Sequence, residues 1–356
     1  MSEDLLRDFV KDLHEYKPGK NPDKPGVIKL ASNENPLGPS PRALEAIAEE
    51  SKKLQIYPDQ KSAQLRQALS NKLGLNEQNF IVGNGSDDIM QIAGATFIAP
   101  HEEVIISKNS FSIYELVTRI YEGIPVFAGL NNLQSDLGSI LGLLSANTKM
   151  IFLTNPHNPT GGYINSADLD SFLDKVPENI LIVVDEAYCE FAEAKDFADT
   201  IKHIKSGRKN LLILRTFSKY YGLAGLRVGY GIAAPNLVSA MMKTKMPFNV
   251  NRLAQAGAAA ALGDKDFLEK TYRSNLEGKA QLYAGLSSLG LNFNKSEANF
   301  IFVETKSIAD ELFLKLMSEG IIVRPLASFG FPDAIRISIG TKEQNKKLLD
   351  ALKKLL

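Results

Sequence analysis

Five short runs rich in apolar and β-branched residues leave this chain few folds to choose from: Phe80-Ile81-Val82, Val104-Ile105-Ile106, Ile151-Phe152-Leu153, Leu181-Ile182-Val183-Val184 and Leu211-Leu212-Ile213-Leu214. None shows the apolar–polar alternation of a strand with one wet face, so each reads as a strand buried on both faces. Helical periodicity lies between them. Ser40-Pro41 reads as an N-cap and first-turn proline ahead of an apolar stripe at Leu44, Ile47 and Ala48, and Ser62 opens the next helix with Leu65 and Leu69 inward. Doubly buried strands alternating with helices make a mostly parallel sheet covered by helices, which sets the class as α/β. Ligands in such sheets bind beyond the carboxyl ends of the strands, so the polar residues that follow each run are where chemistry is to be sought.

After Met246-Pro247 the pattern changes to helices around Asn251 to Leu262 and Asp264 to Leu286. Short strands at Phe300-Ile301-Phe302-Val303 and Ile335-Arg336-Ile337-Ser338 follow. We expect an N-terminal arm over 1–27, a large α/β domain over 28–246 and a smaller α+β domain over 247–356. The last helix carries a capping box, Thr341 with Gln344. Forty-one basic residues balance 41 acidic ones, so no global field draws nucleic acid or an anionic membrane. The single cysteine, Cys189, forms no internal disulfide, and with four scattered histidines it offers no metal-ligand spacing. A polar N-terminus and the lack of a long apolar stretch point to a cytoplasmic protein.

Thr216-Phe217-Ser218-Lys219 follows the last of the five runs, with only Arg215 between, and precedes Gly222, Gly225 and Arg227. A partly desolvated lysine at a sheet's carboxyl edge forms an imine with an aldehyde, because the neutral amine is the nucleophile. Taken alone, Lys219 reads more readily as a solvated loop lysine. Its neighbours at other strand ends reverse that. Asp185, the first charge after Leu181–Val184, is placed to pair with a pyridinium nitrogen; the rival Walker-B reading needs a P-loop that the chain lacks. Tyr188 reads equally as a contact to a ring oxygen or as a packed strand-end tyrosine. Asn158, between Pro156 and Pro159, reads as a turn residue or as a donor to that oxygen. Gly83-Asn84-Gly85-Ser86-Asp87-Asp88 links a strand to a helix and exposes backbone N–H groups to a phosphate, with Ser218 and Arg227 to complete the cup. Together these segments supply the groups that a pyridoxal phosphate site requires.

Six segments carry a resemblance to the histidinol-phosphate aminotransferase family of fold-type I pyridoxal-phosphate enzymes over nearly the whole chain. They are Leu30 to Ser40 (with Asn33-Glu34-Asn35-Pro36), Tyr57-Pro58-Asp59, the asparagine-proline loop at 155–162, Asp185-Glu186-Ala187-Tyr188, Arg215 to Arg227, and Arg336 to Thr341. The resemblance implies that Lys219 holds pyridoxal 5'-phosphate as a Schiff base, that Asp185 pairs with its pyridine nitrogen, and that Asn158 and Tyr188 bond its phenolic oxygen. It also implies phosphate contacts from Ser86, Ser218 and Arg227, further cofactor contacts from Asp87 and Thr216, and Tyr57 reaching over from the neighbouring subunit of a homodimer with shared active sites. Phe111 stands where the family commonly stacks a tyrosine, which keeps the π-face and loses a hydroxyl. Arg324, Arg336, Asn33 and Tyr16 are implied as substrate contacts, the last from an arm acting as a lid. A buried ion pair is the alternative for Arg336.

The implied reaction exchanges an amino group between L-histidinol phosphate and 2-oxoglutarate, releasing L-glutamate. An aromatic amino acid aminotransferase and a threonine-phosphate decarboxylase would keep the same cofactor residues. A catalytically silent binding protein and a nucleotide-hydrolysing enzyme are the readings from other classes; the complete residue set argues against the first and the missing P-loop against the second.

Overall fold

The computed structural model describes residues 5–11, 13, 15, 19–22, 25–305 and 308–356. Its strands are β1 (Ile28–Lys29), β2 (Phe80–Gly83), β3 (Glu103–Ser107), β4 (Ile124–Ala128), β5 (Leu130–Asn131), β6 (Gln134–Ser135), β7 (Thr148–Thr154), β8 (Leu181–Asp185), β9 (Leu211–Thr216), β10 (Gly229–Ala233), β11 (Phe300–Glu304), β12 (Ile321–Ile322), β13 (Arg324–Pro325) and β14 (Ala334–Ser338). Seven of them form one sheet in the order β2-β10-β9-β8-β7-β3-β4. Only β10 runs against its neighbours; the other pairings are parallel. All five apolar runs are strands of this sheet. Alternate residues along each feed opposite cores: Ile182 and Val184 pack on one face of the sheet, Leu181 and Val183 on the other.

Two strands of the sheet escaped the pattern of apolar runs, for different reasons. β4 is an edge strand with a proline and a partly wet face, so it lacks an unbroken buried run. β10 reads Gly229-Tyr230-Gly231-Ile232-Ala233, and glycines weaken strand propensity. Both glycines answer to close packing. A Cβ on Gly229 would lie 2.5 Å from the backbone nitrogen of Ser86, and one on Gly231 would lie 3.0 Å from side chains of Ile81, Ile89 and Leu212. The glycines of β10 thus let the loop after β2 and the helix Ser86–Phe97 sit close against the sheet.

The C-terminal strands form a separate sheet, β11-β14-β13, while β1 pairs in parallel with β12. Leu30 shares a core with Leu282, Ile301, Ile337, Leu348 and Leu352. The helix Arg252–Leu262, capped by Asn251, instead buries Ala254, Ala258 and Ala261 in the core of the large sheet. The caps at Ser40 and Thr341 form as read, the latter with its capping box. Ser62 precedes its helix but does not cap it: its φ is +50°, and Asp59 accepts from the Ala63 and Lys61 amides in its place. Among the described residues no helix is long and apolar enough to cross a membrane, and no cluster of residues could hold a metal ion.

Candidate active site

Because β7, β8 and β9 are adjacent and parallel, their carboxyl ends bring Thr154, Asp185 and Thr216 side by side. A cavity of about 270 Å³ opens there. Its walls include Lys219, Asp185, Asn158, Tyr188, Ser86, Asp87, Phe111, Ser218, Thr216, Arg227, Asn33, Arg324 and Arg336. Residues far apart in sequence but singled out at strand ends are therefore gathered around one space.

One end of the cavity is built to receive an anion. Gly85, with φ +89°, turns the chain into the helix Ser86–Phe97, whose first amides have no helical acceptors of their own. A Cβ at Gly85 would lie 2.7 Å from Arg227 Nη2, so only glycine lets the guanidinium come so near this loop. Arg227 itself adopts φ +53° and donates from Nη1 to Ser218 Oγ at 3.2 Å. Thr216 Oγ1 donates to Ser218 Oγ at 3.0 Å and accepts from the Ser218 amide at 3.1 Å. Asp87 stands 3.5 Å from Arg227 Nη2; burial raises its carboxyl pKa, against the pull of Arg227 and Lys219.

A buried carboxylate, Asp185, also lines the cavity. This residue is 5% exposed, and burial lifts its pKa to about 6. Two donors work against that rise: Tyr114 Oη at 2.7 Å and the Ala187 amide at 3.1 Å. Tyr114 also lies 3.0 Å from Thr154 Oγ1 and stacks on Phe152 at 4.7 Å, while Phe111 meets its ring edge-on at 5.8 Å.

Between these ends lies Lys219. Its Nζ donates to Ser32 O at 3.0 Å and stands 5.8 Å over the Tyr188 ring. Burial, helped by the nearby charge of Arg336, lowers its pKa to about 8. An ordinary lysine near 10.4 is almost wholly protonated at neutral pH, whereas this one presents the neutral amine in useful amount. We therefore expect the rate at which cofactor-free protein captures pyridoxal phosphate to climb as pH rises through about 8 and to level off above it. Stopped-flow absorbance across pH 6.5–10 checks this; a midpoint near the ordinary value, ~10.4, would contradict it.

The N-terminal segment closes the wall. Asn33 sits in the left-handed region at φ +56°, a conformation asparagine tolerates better than most residues. Its side chain donates to Tyr188 Oη at 3.0 Å and accepts from Ser338 Oγ at 2.9 Å. Arg336, in the middle of β14, donates to Asn158 Oδ1 at 2.5 Å and to Ala31 O at 2.9 Å. Arg324 lies 5.8 Å over the Phe329 ring. These contacts tie the asparagine-proline loop and the Ala31–Asn33 segment to the C-terminal sheet.

Two expected residues are not gathered here. Tyr57 is 77% exposed and stacks on Phe248 at 4.7 Å, away from its own chain's cavity. Tyr16 lies outside the described residues. Tyr114 was not assigned a role from sequence; the signal was a tyrosine three residues after Phe111, at the start of a helix that faces the strand ends. His157 is buried, its pKa lowered to about 4 by desolvation, and its Nδ1 meets Thr160 Oγ1 at 2.9 Å, which fits a loop-shaping part.

The donor set fits pyridoxal phosphate: a guanidinium and helix amides for a phosphate, a buried carboxylate for a protonated ring nitrogen, and a depressed lysine for an aldehyde. The model of aminotransferase class I and II matches residues 25–352. The chain is 41% identical to the histidinol-phosphate aminotransferase of Moorella thermoacetica, covering 98% of this chain and 92% of that protein. It is 44% identical to that of Bacillus licheniformis, covering 99% of each. Among solved structures, histidinol-phosphate aminotransferase from Sinorhizobium meliloti in complex with pyridoxal-5'-phosphate superposes with a TM-score of 0.90 at 26% identity, covering 100% of this chain and 99% of that one. An aspartate aminotransferase from Thermotoga maritima shares the fold-type I architecture, with a TM-score of 0.84 at 21% identity over 92% of each chain.

Proposed function

This chain belongs to the histidinol-phosphate aminotransferases within aminotransferase class I and II, and from that membership we propose that it transfers an amino group between L-histidinol phosphate and 2-oxoglutarate by a ping-pong mechanism. The observation that carries the chemistry is a single cavity holding a lysine with a pKa lowered to about 8 beside a carboxylate raised to about 6. Bound pyridoxal 5'-phosphate supplies an aldehyde for amine capture and a protonated ring that withdraws the electron pair left on the substrate carbon.

The protein's part is to hold, orient and move protons. Ser86, Ser218, Thr216 and Arg227 hold the cofactor phosphate, with Asp87 keeping Arg227 in place. Asp185 keeps the proton on the ring nitrogen, and Tyr114 keeps Asp185 aligned. Phe111 covers one ring face, and Asn158 and Tyr188 reach the phenolic oxygen. Lys219 Nζ would hold the cofactor, and its neutral amine would take the proton from the amine-bearing carbon of the substrate. Arg336 and Arg324, joined by Asn33 and Tyr16, hold the substrate's phosphate in one half of the cycle and a carboxylate in the other. The guanidinium serves both because each anion accepts two parallel hydrogen bonds.

The same reading makes the protein a homodimer in which Tyr57 reaches the partner's phosphate cup. Leu54, Ile56, Tyr57, Met246 and Phe248 are all exposed large apolar residues, and Tyr57 and Phe248 stack on one another. Apolar surface of this kind calls for a partner. For the division of the chain we retain an arm over 1–27, a cofactor domain from 28 and a smaller domain from 247, with β1 and the helix Arg252–Leu262 each crossing to the other's core. A cytoplasmic setting agrees with the lone Cys189.

Initial rates against L-histidinol phosphate, phenylalanine and threonine phosphate, measured side by side with 2-oxoglutarate as acceptor, test the substrate. Histidinol phosphate is expected to give a kcat/KM at least ~10²-fold above phenylalanine, since phenylalanine offers the paired guanidinium groups a singly charged carboxylate in place of the more highly charged phosphate. Preference for phenylalanine, or carbon dioxide release from threonine phosphate, would replace the substrate assignment and leave the cofactor assignment standing.

A further inference from the structure

Behind the Asn33–Pro36 segment lies a small, partly enclosed cavity between the helix Lys265–Ser288 and the residues leading into β11. Asn35, Pro36, Phe191, Thr271, Asn275 and Asn299 are among its walls. It measures about 10 Å³, close to the room that one water molecule occupies by this measure. Asn275 is 5% exposed and Asn299 2%. Among the described residues, Asn275 Oδ1, Asn275 Nδ2 and Asn299 Oδ1 make no hydrogen bond. Amide groups buried in this way are seldom left unmet, because each would forfeit its hydration for nothing.

We propose that this cavity is a binding site for one structural water, and that Asn275 and Asn299 are positioning residues for the Lys219 site. The water accepts from Asn275 Nδ2 and donates to Asn299 Oδ1, with its second hydrogen directed to Asn275 Oδ1. Only a ligand that both donates and accepts meets all three atoms; a cation would be repelled by the amide N–H groups, and an apolar occupant would meet none of them. The other face of Asn299 shows what the water steadies. Asn299 Nδ2 donates to Asn33 O at 3.0 Å, and Asn33 Nδ2 donates to Tyr188 Oη at 3.0 Å. One residue earlier, Ser32 O accepts from Lys219 Nζ. One turn before Asn275 on the same helix, Thr271 Oγ1 accepts from Asn35 Nδ2 at 3.2 Å. A wall with this many fixed points holds Asn33 in its left-handed conformation and so sets the height of Lys219 over Tyr188. The water itself is independent of the proposed function; its catalytic consequence rests on the reading of Lys219.

A crystal structure of the cofactor-loaded enzyme at a resolution that shows ordered water, with two variants, tests this. Density for one water within hydrogen-bond reach of Asn275 and Asn299 is expected; an empty cavity, or a peak ringed only by acceptors at cation distances, overturns the proposal. Asn275→Leu fills the space and offers no polar atom, whereas Asn275→Ser is smaller but keeps a group that donates and accepts. A packing role ranks leucine at or above serine in melting temperature and kcat. The water bridge ranks serine above leucine in both, with Asn275→Leu losing about tenfold in kcat at little change in donor KM and Asn275→Ser staying near wild type. Leucine at or above serine in both measurements defeats the proposal, and if the leucine variant does not fold, the density in the wild-type enzyme still decides. Failure of the wild-type enzyme to turn over histidinol phosphate, with the water present, would count against the proposed function and not against this site.

Discussion

Lys219→Ala protein is expected to lose amino transfer by ~10⁴-fold while still binding pyridoxal phosphate. The size follows from the two tasks the amine performs, covalent attachment and proton transfer at the substrate carbon, the second alone contributing typically about 10²–10⁴. Binding persists because the phosphate cup at Ser86, Ser218 and Arg227 and the carboxylate at Asp185 are untouched by the change. Borohydride reduction followed by peptide mass mapping separates the two tasks: wild-type protein carries the reduced cofactor on the Lys219 peptide, and the variant carries it nowhere. Turnover within tenfold of wild type, or cofactor fixed at another lysine, would dismantle the assignment of every other residue around it. Added methylamine is expected to restore part of the proton-transfer rate, since a small free base can enter the space that the side chain vacates.

Asp185→Asn is the second large effect, with an expected fall of ~10³-fold in kcat. Asparagine keeps the shape of the carboxylate and can still accept from the Ala187 amide, so the loss measures the charge rather than the fold. Without that charge the ring nitrogen sheds its proton and the ring withdraws electrons poorly. Lys219 capture should remain, which distinguishes this variant from the first. Tyr114→Phe provides the scale: it leaves the charge and removes the 2.7 Å hydrogen bond to Asp185 together with the 3.0 Å contact to Thr154, so about a tenfold loss is expected. If Asp185→Asn cost no more than Tyr114→Phe, the carboxylate would be a structural group buried beneath the ring and nothing more.

How far the sequence could be read follows from the kind of information each residue carries. A strand buried on both faces writes itself locally as an apolar run, and the polar residues after it must stand at the strand's end; that is why Asp185, the first charge after its run, and Lys219, in the loop that follows β9, were legible and why the sheet class was. β10 was not, because its glycines answer to the backbone of Ser86 and the side chain of Ile89, which are distant in sequence and close only in the fold. Tyr114 was missed for the same reason: its place three residues after Phe111 was visible, but its partner, Asp185, is brought to it only by the fold. Arg336 was legible as an anomaly, a guanidinium inside an apolar strand, but its contacts to Asn158 and Ala31 come from the fold. The resemblance to known aminotransferases supplied the roles that residue chemistry alone left open at Asn158 and Tyr188. Tyr57 carries no local sign of its role: within its own chain it is an exposed ring stacked on Phe248.

The pairing of β1 with β12 has a consequence for the order of events at the ribosome. Ile28 and Lys29 find their sheet partners at Ile321 and Ile322, Leu30 lends its carbonyl to the Ser338 amide, and Asn33 leans on Ser338. Synthesis proceeds from the amino end, so the segment that gives Lys219 its backbone acceptor emerges first and waits for nearly the whole chain to follow before it can settle. Until the C-terminal strands are in place, the wall that carries the Ser32 acceptor for Lys219 is not held to the C-terminal sheet. The Lys219 site is thereby completed only after Ser338 has been made, although every strand of the seven-stranded sheet lies before Ala234 in the chain.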